Sequence, residues 1–196
     1  MSKSNKKNVV IVAGMICVLA IASIAALMTD TKTVTNTFTT GNVTIELTEP
    51  TWTSTGEAKA TNITPNKVIE KDPTIKNVGA NDAYMFMKVE VPKQDSTQLF
   101  NYTLNSGWVK IKEDTAASDK NVYVYAYGTA DAMTSVEKNV STPALFSTVK
   151  VADVSTFANP NLAIQVDAYG IQASDLGKTS ALDIWGLIST KHSVGI

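Results

Sequence analysis

The sequence predicts an all-β fold: an antiparallel β-sandwich with one or two short helices, preceded by an N-terminal signal helix. Three observations carry this. The 196 residues include 25 Thr, with Val, Ile and Tyr also well represented, and these side chains favour strands. Apolar residues recur at every second position in five separate segments, the period of a half-buried strand. Strands apolar on one face bury a core by packing two sheets face to face. A chain of this length suits one domain, or at most two small ones.

The first element is an address. Lys3, Lys6 and Lys7 precede an uncharged apolar run over residues 9–28, with Ser23, Ala25 and Ala26 towards its outer end. Charged flank, apolar stretch and small residues are the layout of a secretory signal peptide. An uncleaved membrane anchor is the competing reading, because about 20 apolar residues span a bilayer. The small residues favour cleavage, and the bond between Ala26 and Leu27 is the preferred scissile bond. Cys17, the single cysteine, then leaves with the signal. Cleavage also removes three Lys and no acid, so the net charge of −1 becomes −4. The expected organisation is a signal at 1–26, an extended N-terminal segment at 27–40 and a sandwich domain at 41–196. A secreted protein follows, in contact with the membrane only through an uncleaved signal.

Residues 29–40 are rich in Thr, contain no Pro and have Val34 and Phe38 as their only large apolar side chains. Alone, such a segment buries too little to offset about 1–2 kcal/mol of backbone entropy per residue. Along an open sheet edge it gains main-chain hydrogen bonds while Val34 and Phe38 fill pockets, which is strand addition. Thr33, Val34, Thr35, Asn36, Thr37 and Phe38 are therefore the candidate donor strand. The alternative is that they fold back as an edge strand of their own sandwich.

The strands follow. Val43, Ile45 and Leu47 face one way in the segment 42–49, and Met85, Met87, Val89 and Val91 do so in 83–91. The opposite side of the latter changes from Tyr84 and Phe86 to Lys88 and Glu90, so one end of that strand is expected to be covered on both sides. Residues 108–112 alternate again, and 121–128 set Val122, Val124 and Ala126 against Tyr123, Tyr125 and Tyr127. In 162–168, Leu162, Ile164, Val166 and Ala168 share a side, and Gly170 is expected to mark a bulge or bend. Ser180 and Asp183 resemble a capping box for a short helix over 180–188, with Leu182, Trp185 and Ile188 as its apolar stripe. Turn residues cluster at 64–66, 79–82, 105–107 and 158–160, and 114–121 reads as a loop.

Composition excludes several functions. All 17 basic residues are Lys, so the guanidinium fork used for phosphate clamps and guanine readout is absent. No basic block exists beyond the first seven residues, and nucleic-acid binding is not expected. One Cys and one His are too few for a Cys/His zinc site or an internal disulfide. No cofactor is expected.

Four stretches resemble the TasA/camelysin family of secreted bacterial proteins, whose precursors are processed by a dedicated signal peptidase. They are the junction IAALMTDTKTVTNTFTTGNVTIEL, the run Leu47, Thr48, Glu49, Pro50 with Trp52, the stretch ITPNKVIEKDPTIKNVGANDAYMFMKVEV, and IQVDAYGIQA. The resemblance covers both ends and the first half of the exported chain. It implies a jelly-roll-like sandwich that forms extracellular fibres in a biofilm matrix or on the cell surface. The N-terminal segment of one subunit would complete the sheet of the next, with a second copy or a related fibre subunit as partner. Head-to-tail pairing of this kind gives filaments rather than closed dimers.

Two other classes are tested against the residues. A monomeric exported adhesin would use Trp52, Trp108 or the Tyr123, Tyr125 and Tyr127 stripe on glycans; cross-strand aromatic pairing within a sheet is the commoner reason for such a stripe. Some camelysin-type relatives are metallopeptidases, but zinc hydrolysis normally needs three protein ligands and a general base. His192 is the sole imidazole and is expected in an exposed tail. Glu70 and Asp72, on either side of Lys71, and Asp82 carry hard-metal oxygens, yet Ca²⁺ takes six to eight of them; the charges of Lys71 and Asp72 are expected to form a solvated face. No catalytic or metal-binding residue is assigned, and the chain is expected not to be an enzyme.

Overall fold

The computed structural model describes residues 43–159 and 162–194. The signal helix with Cys17, the bond between Ala26 and Leu27, and the donor segment 33–38 lie outside the described residues. Ten strands and two short helical regions make up the rest. In chain order they are β1 (Ile45–Thr48), a π-helical turn (Trp52–Gly56) running into α1 (Glu57–Lys59), β2 (Val68–Glu70), β3 (Thr74–Asn77), β4 (Ala83–Gln94), β5 (Thr97–Gln98), β6 (Phe100–Asn101), β7 (Trp108–Asp114), β8 (Lys120–Tyr127), β9 (Thr148–Val151), β10 (Gln165–Gln172) and α2 (Ala181–His192). All strand pairs are antiparallel. The all-β sandwich is therefore the fold observed.

One layer is the sheet β10–β4–β8–β7, with β5 folded onto the end of β4. Asp95 and Ser96 both take positive φ between β4 and β5 (48° and 66°), as a two-residue hairpin of matching twist requires. Two small sheets face it, β2–β9–β6 and β1–β3. Met85, Met87 and Val89 of β4 meet Ile45, Ile75 and Val149 in the core between the layers. The alternation seen in the sequence decides these directions, because a shift of one residue would turn every side chain over.

The outer side of the large sheet explains the two-sided end of β4. Phe86, Val124, Ala126 and Tyr169 are buried there under Ile184, Trp185 and Ile188 of α2. Trp185 packs 5.5 Å from Phe86 and 5.2 Å from Tyr169, edge-on to the latter at 85°. Beyond the helix the same side turns polar, and Lys88 and Lys120 both pair with Glu90.

Several local expectations change. The helix runs Ala181–His192, a turn longer than its predicted end at 188. The Ser180 hydroxyl accepts the Asp183 N–H at 3.2 Å, so the N-cap stands as read. Its buried stripe is Ala181, Ile184, Trp185 and Ile188, whereas Leu182 is 51% exposed. Gly170 is no bulge, since its register against Met85 is unbroken. A Cβ there would lie 2.8 Å from Ile45 Cγ2 and 3.2 Å from Val43 Cγ1, so the glycine lets the opposing sheet close on β10. The bulge falls instead in β7, between Lys110 and Lys112. Turns occupy 64–66, 79–82 and 105–107, and a loop joins β7 to β8; the fourth predicted turn, 158–160, runs beyond the described residues.

Candidate functional site: an apolar pocket at the start of β10

Three consecutive charges, Glu70, Lys71 and Asp72, organise this region. Lys71 and Asp72 are not the solvated face the sequence suggests: they are 8% and 9% exposed. Buried charges need partners, and each of the three reaches back to the segment 49–59. Asp72 Oδ1 accepts the N–H groups of Thr51 and Trp52 at 3.0 Å, and Oδ2 accepts Thr51 N–H at the same distance. The π-helical turn at Trp52 has no cap from its own Thr51 side chain. Asp72 supplies that cap and places negative charge at the positive end of the turn.

Lys71 Nζ donates to both carboxylate oxygens of Glu49, at 2.7 and 2.8 Å, and lies 4.8 Å from the centre of the Trp52 ring. Glu70 pairs with Lys59. The hydrogen bond from Lys59 holds the Glu70 carboxyl below the usual carboxylate range. Gly56 presses against the same strand: a Cβ there would sit 2.2 Å from the Glu70 carbonyl oxygen.

The clamped segment forms one wall of a pocket of about 150 Å³, with Trp52 and Ile63 on that side. Ile69, Phe100 and Val149 also line it, together with Leu162 and Ile164 just before β10. The lining is apolar apart from Lys71, whose charge is already matched by Glu49. Among the described residues, β10 pairs with β4 alone and β1 with β3 alone. The pocket thus opens beside a sheet edge that pairs with no described strand. It offers a seat for an apolar side chain next to backbone groups that pair with no described strand.

The other sequence candidates lie elsewhere. Trp108 is 7% exposed, its indole N–H donates to the Pro143 carbonyl at 3.0 Å, and its ring packs 5.4 Å from Tyr127. A ring enclosed in this way has no face for a sugar, so Trp108 is corrected to a core residue. Tyr123, Tyr125 and Tyr127 also point inward. Tyr123 O–H donates to Gln98 Oε1 at 2.6 Å, and the Tyr125 and Tyr102 hydroxyls are 2.9 Å apart. Burial pushes the Tyr125 hydroxyl up to about 12 and Tyr102 higher still. Of the candidate glycan contacts, Trp52 lines the pocket at the start of β10.

His192 closes the last turn of α2 and is exposed. Partial burial and the neighbouring Lys191 hold its imidazole below its ordinary value. Asp82 precedes β4, where its carbonyl accepts the Ala173 N–H at 2.9 Å. Among the described residues, no group of three His, Cys, Asp or Glu converges to hold a metal ion, and no helix is long and apolar enough to cross a membrane. Compared with known proteins, the chain matches no family model, no curated protein and no solved structure.

Proposed function

We propose that the protein is a secreted structural subunit, of the TasA/camelysin kind, that assembles head to tail into extracellular matrix or surface fibres. The observation that supports this reading is the apolar pocket beside the outer edge of β10, in a sandwich whose first strand is preceded by a threonine-rich segment with two large apolar residues. An open strand edge templates pairing with another chain. Before signal cleavage the segment 27–40 is tethered to the membrane; afterwards its end is free to lie along a neighbour. Proteolysis thus switches assembly on. Since the donor and acceptor surfaces differ, each addition exposes a new acceptor and the product is a filament.

The test is to export the chain, determine the mass of its mature N-terminus, and image it by negative-stain microscopy. Fibres that disappear when residues 27–38 are deleted support the proposal. Val34→Asp or Phe38→Asp should block polymerisation while leaving the sandwich folded, because an unpaired charge is costly to bury. A chain that stays monomeric at high concentration with or without the segment sinks it.

A further inference from the structure

We propose that Tyr102 and Tyr125 are a site of oxidative cross-linking, where a dityrosine bond joins the two layers of the sandwich within one molecule; this is independent of fibre assembly. Tyr102 directly follows β6 of the small sheet β2–β9–β6, and Tyr125 lies in β8 of the large sheet. Their hydroxyl oxygens are 2.9 Å apart, while their ring centres are 6.3 Å apart at an interplanar angle of 69°. The rings therefore converge at their phenolic ends. In a phenoxyl radical the unpaired electron is shared by the oxygen and the ring carbons ortho and para to it. The tyrosine side chain occupies the para carbon, so two such radicals couple through ortho carbons, and these flank the hydroxyls that meet here. The steep angle between the rings is no obstacle, because the product is a twisted biphenyl.

Packing holds the pair together. Tyr102 stacks on the buried Phe146 with ring centres 4.3 Å apart, and Tyr125 is itself buried. Burial pushes the Tyr125 hydroxyl up to about 12 and Tyr102 higher. Each keeps its proton at neutral pH, so the contact is a hydrogen bond and not a repulsion between phenolates. Tyr102 is half-buried and lines an open groove with Asn101, Thr103, Asn105 and Ser147; there an electron and a proton can leave for solvent. The other four of the six tyrosines are placed differently. Tyr123 donates its O–H to Gln98 and has Lys110 Nζ 5.4 Å from its ring centre, a positive charge that disfavours loss of an electron. Tyr127 packs on Trp108. Tyr84 and Tyr169 lie on the opposite side of the large sheet, under α2.

The step balances with hydrogen peroxide as the oxidant, acting through a haem peroxidase. Each phenol loses one electron and its hydroxyl proton, and the two radicals join by an ortho C–C bond. The hydrogen on each joined carbon then moves to the phenolic oxygen. The pair gives up two electrons and two protons in all, which reduce one hydrogen peroxide to two waters. With one cysteine the chain has no disulfide within itself, and this bond would serve as its cross-link. It would join positions 23 residues apart and tie one layer to the other. On the scale of a disulfide closing a loop of that size, the unfolding equilibrium constant should fall about 100- to 300-fold.

The test treats the full chain, dilute enough to limit encounters between molecules, with hydrogen peroxide and a haem peroxidase. Free N-acetyltyrosine in a parallel reaction verifies the oxidant. The intact monomer should lose the mass of two hydrogens and gain blue dityrosine fluorescence, and peptide mapping should join the Tyr102 segment to the Tyr125 segment. Tyr102→Phe and Tyr125→Phe should each abolish that product, whereas Tyr84→Phe and Tyr127→Phe should keep it. Urea denaturation of the unoxidised variants verifies that they fold, and mapping of the parent chain decides the matter where one does not. The oxidised parent should unfold at a higher urea concentration than the unoxidised one, and Tyr102→Phe should show no such gain. Bonds found only between molecules, or mapped to other tyrosine pairs, overturn the assignment. So does a chain left unaltered while N-acetyltyrosine couples.

Discussion

Both carboxylate oxygens of Asp72 accept the backbone N–H of Thr51, each at 3.0 Å. The cap of the π-helical turn therefore comes from a residue far along the chain, and one side of the pocket depends on it. Asp72→Ala should lower unfolding free energy by about 1.5–3 kcal/mol, the range for a lost hydrogen bond to a charged group. Asp72→Asn keeps an acceptor oxygen and should lose less. Urea denaturation midpoints measure both, and equal midpoints for Asp72→Ala and the parent chain would contradict the capping role.

Lys71 and Glu49 form a pair whose side chains are only 10% and 17% exposed. Removing one partner of such a pair strands the other charge, at a typical cost of about 3–5 kcal/mol. Replacing both partners by neutral groups of similar shape removes that penalty. Lys71→Met alone should therefore be less stable than the double variant Glu49→Gln/Lys71→Met. The non-additivity is read from a double-mutant cycle by chemical denaturation. Strict additivity would mean the pair is a bystander.

The long alternating strands were legible in the sequence, as was β1 within the segment 42–49, and the other short ones were not. β4, β7, β8 and β10 each repeat over enough residues to reveal their inward side. β2, β3, β5, β6 and β9 have two to four residues, too few to show a period. The change from Phe86 to Lys88 on β4 announced a partial cover, and α2 supplies it. The buried side of α2 was misread because Ala181, Leu182, Ile184, Trp185, Leu187 and Ile188 are apolar around most of the helix. Only packing selects Ile184 over Leu182. The clamp at 70–72 was illegible for another reason: its partners lie eleven to twenty-two residues away, and three adjacent charges look solvated until the fold buries two of them.

Gly186 and Gly56 should respond oppositely to alanine. Gly186 lies inside α2, and a Cβ there meets no atom within 4 Å. Gly186→Ala should stabilise by about 0.5–1 kcal/mol through helix propensity, raising the melting temperature by about 2–4 °C per kcal/mol at this size. At Gly56 the added carbon would collide with the Glu70 carbonyl oxygen, and backbone cannot swing aside as a flexible side chain does. Gly56→Ala should lower stability by about 1–3 kcal/mol. Thermal unfolding of the two variants provides the comparison, and a shared sign would refute the packing assigned to Gly56.

Glu90 makes the acid limb of stability testable. Its burial would raise the carboxyl, but hydrogen bonds from Lys120 and Lys88 outweigh that and hold it below the ordinary value of 4.5. In the unfolded chain the carboxyl binds its proton at a higher pH than in the folded one. The stabilisation is therefore complete above the unfolded value and is lost as pH falls through the depressed folded value. Glu90→Gln should be less stable than the parent at pH 7, by no more than about 1 kcal/mol because the Lys120 side chain is 41% exposed and water screens it. Below both titrations the two proteins should converge. Denaturation curves collected between pH 7 and pH 2 read the gap directly; a gap that stays constant across that range would show that glutamine perturbs packing and that the ion pairs contribute nothing.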